Sequence, residues 1–190
     1  MTALNLMGTS QEFVIAHFHL VMGVAAFFGM FAGIYHWFPK MFGRYMNNTL
    51  GYIHFFVTFI CSYAIFWPMH YSGLAGMPRR YYDFTAWATF APYQKMNSFI
   101  SIFVVLAFFT QLLFIFNFFV SIFRGRKVTS TNPWGCTTLE WTTPIVPGHG
   151  NWEGPIPEVH RWAYEFRDDE VTGLDYVTQT TPLRPGEVEH

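Results

Sequence analysis

Between Phe13 and Pro39 the chain carries no Asp, Glu, Lys or Arg. A helix of that length covers the roughly 30 Å hydrocarbon core of a bilayer at about 1.5 Å per residue. Two further apolar runs follow, Tyr52 to Leu74 and Ser98 to Phe123. Only a structure that satisfies its own backbone groups can cross lipid, and for single runs of this length that structure is a helix. The expectation is an all-α membrane protein with three transmembrane helices, spanning about residues 13–38, 52–74 and 98–123. The first run closes on Trp37-Phe38-Pro39, an aromatic belt followed by a helix breaker. Pro68 predicts a kink or an exit in the last turn of the second. In the third, Gln111 and Asn117 are the strongly polar side chains.

Charge divides the chain further. Only 12% of its 190 residues are charged, about half of what soluble domains carry. Between Phe13 and Phe123 the charged residues are Lys40, Arg44, Arg79, Arg80, Asp83 and Lys95, whereas Arg124 to His190 holds six basic and ten acidic residues. The net charge of -1 therefore averages a membrane part and a polar tail, 124–190, and no nucleic-acid partner is expected. Met1 to Glu12 lacks the basic start of a signal peptide. Cys61 and Cys136 are too few for a disulfide framework or a thiolate metal site, and Cys61 reads as a packing residue. Lys40, Arg44, Arg124, Arg126 and Lys127 fall on one side of the membrane, and Arg79, Arg80 and Lys95 on the other. That excess places the C-terminus in the cytoplasm. Ala25, Gly29 and Gly33 form a small-residue stripe suited to close helix approach. The tail, with TTLEWTTP and the Pro- and Trp-rich stretch 147–162, predicts an irregular extramembrane segment lying on partner subunits. The run Arg167-Asp168-Asp169-Glu170 predicts a solvated turn.

The polar groups that stand out are two histidines within AHFH, His17 and His19. Residues two apart on an α-helix are turned by about 200°, so each imidazole needs a partner on its own side. Ionisable residues at membrane depth point to function, and neutral imidazole is an axial ligand of haem iron. Two planar cofactors flanking one helix would account for the pair; hydrogen bonds to two neighbouring helices would also account for it. His36, His54 and His70 read as structural hydrogen-bonding groups.

The segments VIAHFHLVMG, YHWFPKMFGRYMNNTLGYIHF, PMHYSGLAGMPRRYYDF and NPWGCTTLEWTTP resemble, in order and spacing, the C-terminal part of subunit I of haem–copper cytochrome c oxidases. The resemblance runs from about Phe13 to Leu183. It implies that the spans are helices ten to twelve of a twelve-helix subunit. It implies that His17 is the proximal ligand of the high-spin haem, facing copper, and that His19 is an axial ligand of the low-spin haem. Both haems would be of the a type. Arg79 and Arg80 match the pair that contacts haem propionates, a role suited to the donor fork of guanidinium. The implied setting is aerobic electron transport in a bacterial plasma membrane, with oxygen reduction to water and proton translocation. The implied partners are the remaining helices of subunit I, subunits II and III, lipid, and cytochrome c or another donor acting through subunit II.

Departures from that pattern shape the expectation. The family's copper ligands, three histidines with a cross-linked tyrosine, precede AHFH and are absent here, as are the second axial ligand of the low-spin haem and the proton-uptake helices. Where the family has the His and Asp that help bind magnesium, alignment from His17 puts Thr9 and Ser10, and Met1 to Glu12 reads as outside the family. The expectation is a C-terminal fragment or split subunit, inactive alone and able to contribute ligands only when the missing helices come from elsewhere. Its rivals are a non-catalytic pseudo-subunit or assembly factor derived from the oxidase, and a free-standing three-helix haem protein.

Overall fold

In a computed structural model, the protein is described over residues 12–169 and 174–186; Thr9, Ser10 and Glu170 lie outside these. The first span is a composite of α1 (Glu12–Phe18), a π-helical turn (His19–Gly23) and α2 (Val24–Phe42). The second is α3 (Asn48–Leu74). The third is α4 (Gln94–Arg124), entered through short 3-10 turns at Phe84–Ala86 and Ala88–Tyr93. All three are long and apolar enough to cross a membrane. Little of their apolar surface is covered by the chain itself, so it faces lipid or other helices. Gly29 of the small-residue stripe has open space beside it.

One helix end differs from the sequence expectation: Pro39 does not end the first span, which continues to Phe42, whereas α3 ends at the expected Leu74 with Pro68 six residues inside it. A proline removes one backbone donor and crowds the preceding turn, but flanking turns on one side or both maintain the helix. Past Pro39 the ladder resumes when Gly43 N–H donates to the Pro39 carbonyl at 2.9 Å. Gly43, at φ 65°, then closes the helix in the left-handed region. At the start of α3 the Asn47 side chain accepts from Leu50 N–H at 3.1 Å, an ordinary N-cap.

The chain forms two compact units. One comprises the chain up to Ile34 with Asn47–Val120; the other comprises Tyr35–Met46 with the chain from Ser121 onward. In the first, α3 and α4 are joined by polar side chains among aromatic ones. His54 Nε2 lies 3.2 Å from Gln111 Oε1, and Gln111 Nε2 donates to Thr58 Oγ1 at 3.3 Å. Asn117 exchanges two bonds with the Asn47 backbone, at 3.2 and 3.1 Å. Phe31 meets His54 and Phe114 edge-on, each at 4.5 Å. Buried polar groups need such partners, and across membrane helices each bond adds about 0.6 kcal/mol. Cys61 is fully buried.

In the second unit the organising group is Lys40, a loop residue in the charge count but a buried residue of α2 in the structure. Its ammonium donates to the carbonyls of Thr131 (2.8 Å), Trp141 (3.4 Å) and Thr143, and it sits 5.6 Å from the Trp141 ring. His36, stacked 6.3 Å from the Trp134 ring, gives its carbonyl to Trp134 Nε1 at 2.8 Å. Farther along, buried Arg161 bonds the carbonyls of Thr181 and Pro182, each at 2.9 Å, and Glu165 at 2.6 Å. The tail is thus mostly irregular yet closely tied. Within it, β1 (Phe166–Asp169) and β2 (Leu174–Tyr176) form an antiparallel pair. Arg167, Asp168 and Asp169 therefore lie in a strand rather than in the expected solvated turn, because backbone pairing with β2 extends the chain there.

Lys40→Met should free the tail, since it leaves the two buried carbonyls of Trp141 and Thr143 without their donor at about 1–3 kcal/mol. Limited proteolysis of membranes should show tail cleavage rising roughly tenfold or more; unchanged cleavage would remove Lys40 from this role.

Candidate functional site

The site is built where α1 meets the end of α3. Gly73 is fully wrapped by the start of α1: a Cβ there would lie 2.6 Å from Phe13 Cα. Only glycine permits so close a backbone approach. Two polar contacts hold it. Glu12 N–H donates to the Met77 carbonyl at 3.1 Å, and Ser72 Oγ donates to the Glu12 carboxylate at 2.5 Å. Glu12, Ser72 and Met77 are all buried. These residues drew no attention in the sequence. The available signal was the small pair Ser72-Gly73 ahead of the PRR loop.

Along this seam the histidines follow. His19 Nδ1 is 2.8 Å from the Ile15 carbonyl. A carbonyl only accepts, so Nδ1 carries a proton, and the tautomer protonated there alone leaves its lone pair on Nε2. This is the usual arrangement of a metal-bound imidazole, one nitrogen held by a backbone carbonyl and the other on the metal. The His19 ring stacks on Phe66 at 5.0 Å. His17 is exposed and makes no hydrogen bond among the described residues; its ring lies 6.4 Å from that of His70. Phe66 and His70 are one turn apart on α3, so the two imidazoles meet successive turns of that helix. His19 also begins the π-helical turn, a local widening that recurs at functional sites.

His70 carries the same internal bond as His19, Nδ1 to the Phe66 carbonyl at 2.9 Å. It is a neighbour of His17 and not merely an interfacial tip. His54 has its expected hydrogen bond, to Gln111, well away from this seam along α3.

The loop after α3 carries Arg79 and Arg80, two and three residues beyond the clamped Met77. Both are exposed, and neither has a carboxylate partner among the described residues. Next to them, Asp83 accepts from Thr85 N–H at 2.8 Å and from Thr85 Oγ1 at 2.6 Å. These bonds from Thr85 hold its carboxyl below the usual range. A depressed carboxyl supports the turn above its ordinary pKa, and the support is lost as pH falls through the folded value. Burial, and secondarily the Glu12 carboxylate, push the Tyr81 phenol up.

Residues 1–103, more than half of the chain, match the model of the family described as cytochrome c and quinol oxidase polypeptide I. The chain belongs to that family. It is 46% identical over 181 residues to the alternative cytochrome c oxidase subunit 1 of Bradyrhizobium diazoefficiens, covering 93% of this chain and 30% of that one. It is 40% identical over 171 residues to cytochrome c oxidase subunit 1 of Thermostichus vulcanus, covering 88% and 30%. It is 41% identical to the Synechocystis protein of the same name, covering 84% and 29%. The chain thus spans about 30% of the length of these oxidase subunits. The family match begins at residue 1 and takes in Met1 to Glu12, a stretch expected to lie outside the family because its motifs start only at Phe13.

Two glycines separate close packing from mere small size. Gly73→Ala should destabilise the helical part by about 1–3 kcal/mol through forced separation. Gly29→Ala should be neutral, or stabilising by about 0.5–1 kcal/mol, because the added methyl meets open space. Thermal loss of helical circular dichroism in detergent would reveal the contrast; equal midpoints for the two variants would exclude a tight α1–α3 contact.

Proposed function

We propose that this chain is the haem-ligating part of the catalytic subunit of a proton-pumping terminal oxidase. His19 serves as an axial ligand of the low-spin haem and His17 as the ligand of the high-spin haem. The observation that carries this reading is the His19 Nδ1–H bond to the Ile15 carbonyl, which leaves Nε2 available on a helix able to span the membrane. Family membership and the second imidazole at His17 support it. The donor set fits the cofactor: two imidazoles, apolar ring surfaces beside them, and an arginine pair lacking carboxylate partners among the described residues. Haems bound here would supply electron transfer and the reduction of oxygen to water.

The chain's own residues do the holding. Ile15 fixes the His19 tautomer and limits rotation of the ring. The Glu12–Ser72–Gly73 clamp fixes the height of α1 against α3, and with it both imidazoles. Arg79 and Arg80 would hold the propionates of a bound haem through their guanidinium donors. The reading extends to haems of the a type, to partner helices carrying the copper ligands, to subunits II and III with an electron donor, and to a bacterial plasma membrane with the tail in the cytoplasm.

His19→Ala in the full assembly should abolish the low-spin haem band in reduced-minus-oxidised spectra while metal analysis still finds copper. A variant keeping both haem signals would sink the assignment. A wild-type assembly purified without any haem would favour a non-catalytic pseudo-subunit instead.

A further inference from the structure

Four cations gather where the first and third spans end. Tyr45 N–H donates to the Arg126 carbonyl and Val128 N–H to the Gly43 carbonyl, each at 2.9 Å. This pattern makes an isolated antiparallel bridge with Arg44 directly opposite Lys127. Arg44 and Lys127 exchange no bond with each other, so they form the non-hydrogen-bonded kind of pair, in which opposed side chains start closest together. Like charges set opposite in this way are destabilising. Arg124 and Arg126 add to the same short stretch. Gly125 keeps the segments tight, since a Cβ there would come 2.5 Å from the Tyr45 carbonyl oxygen.

Local contacts leave most of this charge unanswered. Arg44 Nη1 donates to the Gly125 carbonyl at 2.7 Å, and the Arg126 guanidinium lies 4.6 Å from the Tyr45 ring. Arg124, Arg126 and Lys127 are exposed, and none of the four cations has a carboxylate partner among the described residues. The patch directly follows Phe42 and Phe123, at the ends of two helices long and apolar enough to span, and a helix that spans passes from hydrocarbon into the phosphate region at its ends.

We propose that this basic patch is a binding site for the headgroup of an anionic phospholipid, its phosphate seated beside the Arg44–Lys127 pair and reached by Arg124 and Arg126. The lack of a carboxylate partner among the described residues, the enforced like-charge pair and the position at the ends of two spans all call for a phosphate anchored by acyl chains. The site does not depend on the oxidase reading.

The test uses the assembled membrane protein in nanodiscs of phosphatidylcholine doped with phosphatidylglycerol, with retained lipid read by native mass spectrometry. Wild type should retain phosphatidylglycerol well above its share of the bilayer. Each neutralised cation should lower that enrichment by roughly fivefold, from about 1 kcal/mol per basic residue. Arg124→Gln, Arg126→Gln and Lys127→Gln are the variants, leaving the tied Arg44 in place; if the triple variant fails to insert, Lys127→Gln alone carries the measurement. Retention in proportion to the bilayer, or enrichment unchanged in the variants, overturns the proposal. Displacement of the lipid by inorganic phosphate at equal concentration would mean a free-anion site and overturns it too, as would cross-links showing another subunit covering Lys127.

Discussion

The contact on which the helical part depends is the backbone approach of Phe13 to Gly73. In lipid, helices gain nothing from burying apolar side chains against each other, because the tails are equally apolar. Association must come from close packing and polar bonds. Here both occur at one place, with the Glu12 amide on Met77 and Ser72 on the Glu12 carboxylate. Everything proposed for the histidines follows from that junction, since it sets how far α1 slides along α3 and which residues of α3 the imidazoles meet.

The first span departs from regular helix farther along. Its π-helical turn at His19–Gly23 shifts the backbone ladder just after the second imidazole. Such a turn costs regular hydrogen bonding and persists where its surroundings fix it. Gly23 lies within the turn, with the His19 ring 3.5 Å from where its Cβ would stand. A methyl group there would meet the ring in ordinary van der Waals contact.

How much was legible in the sequence depended on range. Three spans were plain from charge-free length alone, and AHFH stood out because imidazoles are costly in hydrocarbon. Pro39 misled, because a proline breaks one bond and neighbouring turns decide whether the helix survives. Lys40 was counted as a loop cation, since nothing local shows that three carbonyls about a hundred residues away would receive it. The Glu12–Ser72–Gly73 junction was invisible for the same reason: small and polar residues reveal their use only when a distant helix arrives. A strand at Phe166–Asp169 escaped notice because charge density outweighs any alternation in four residues.

The Lys40 cage also has a consequence in time. Its acceptors lie 91, 101 and 103 residues further along the chain. At typical synthesis rates a ribosome needs roughly 5–20 s to add that many residues. During this interval the ammonium group must remain among water and lipid headgroups at the end of α2. The tail can fasten only after the third span has been made, so its docking marks the completion of the membrane part, and a quality-control protease would meet an open tail on any chain that stalled before then.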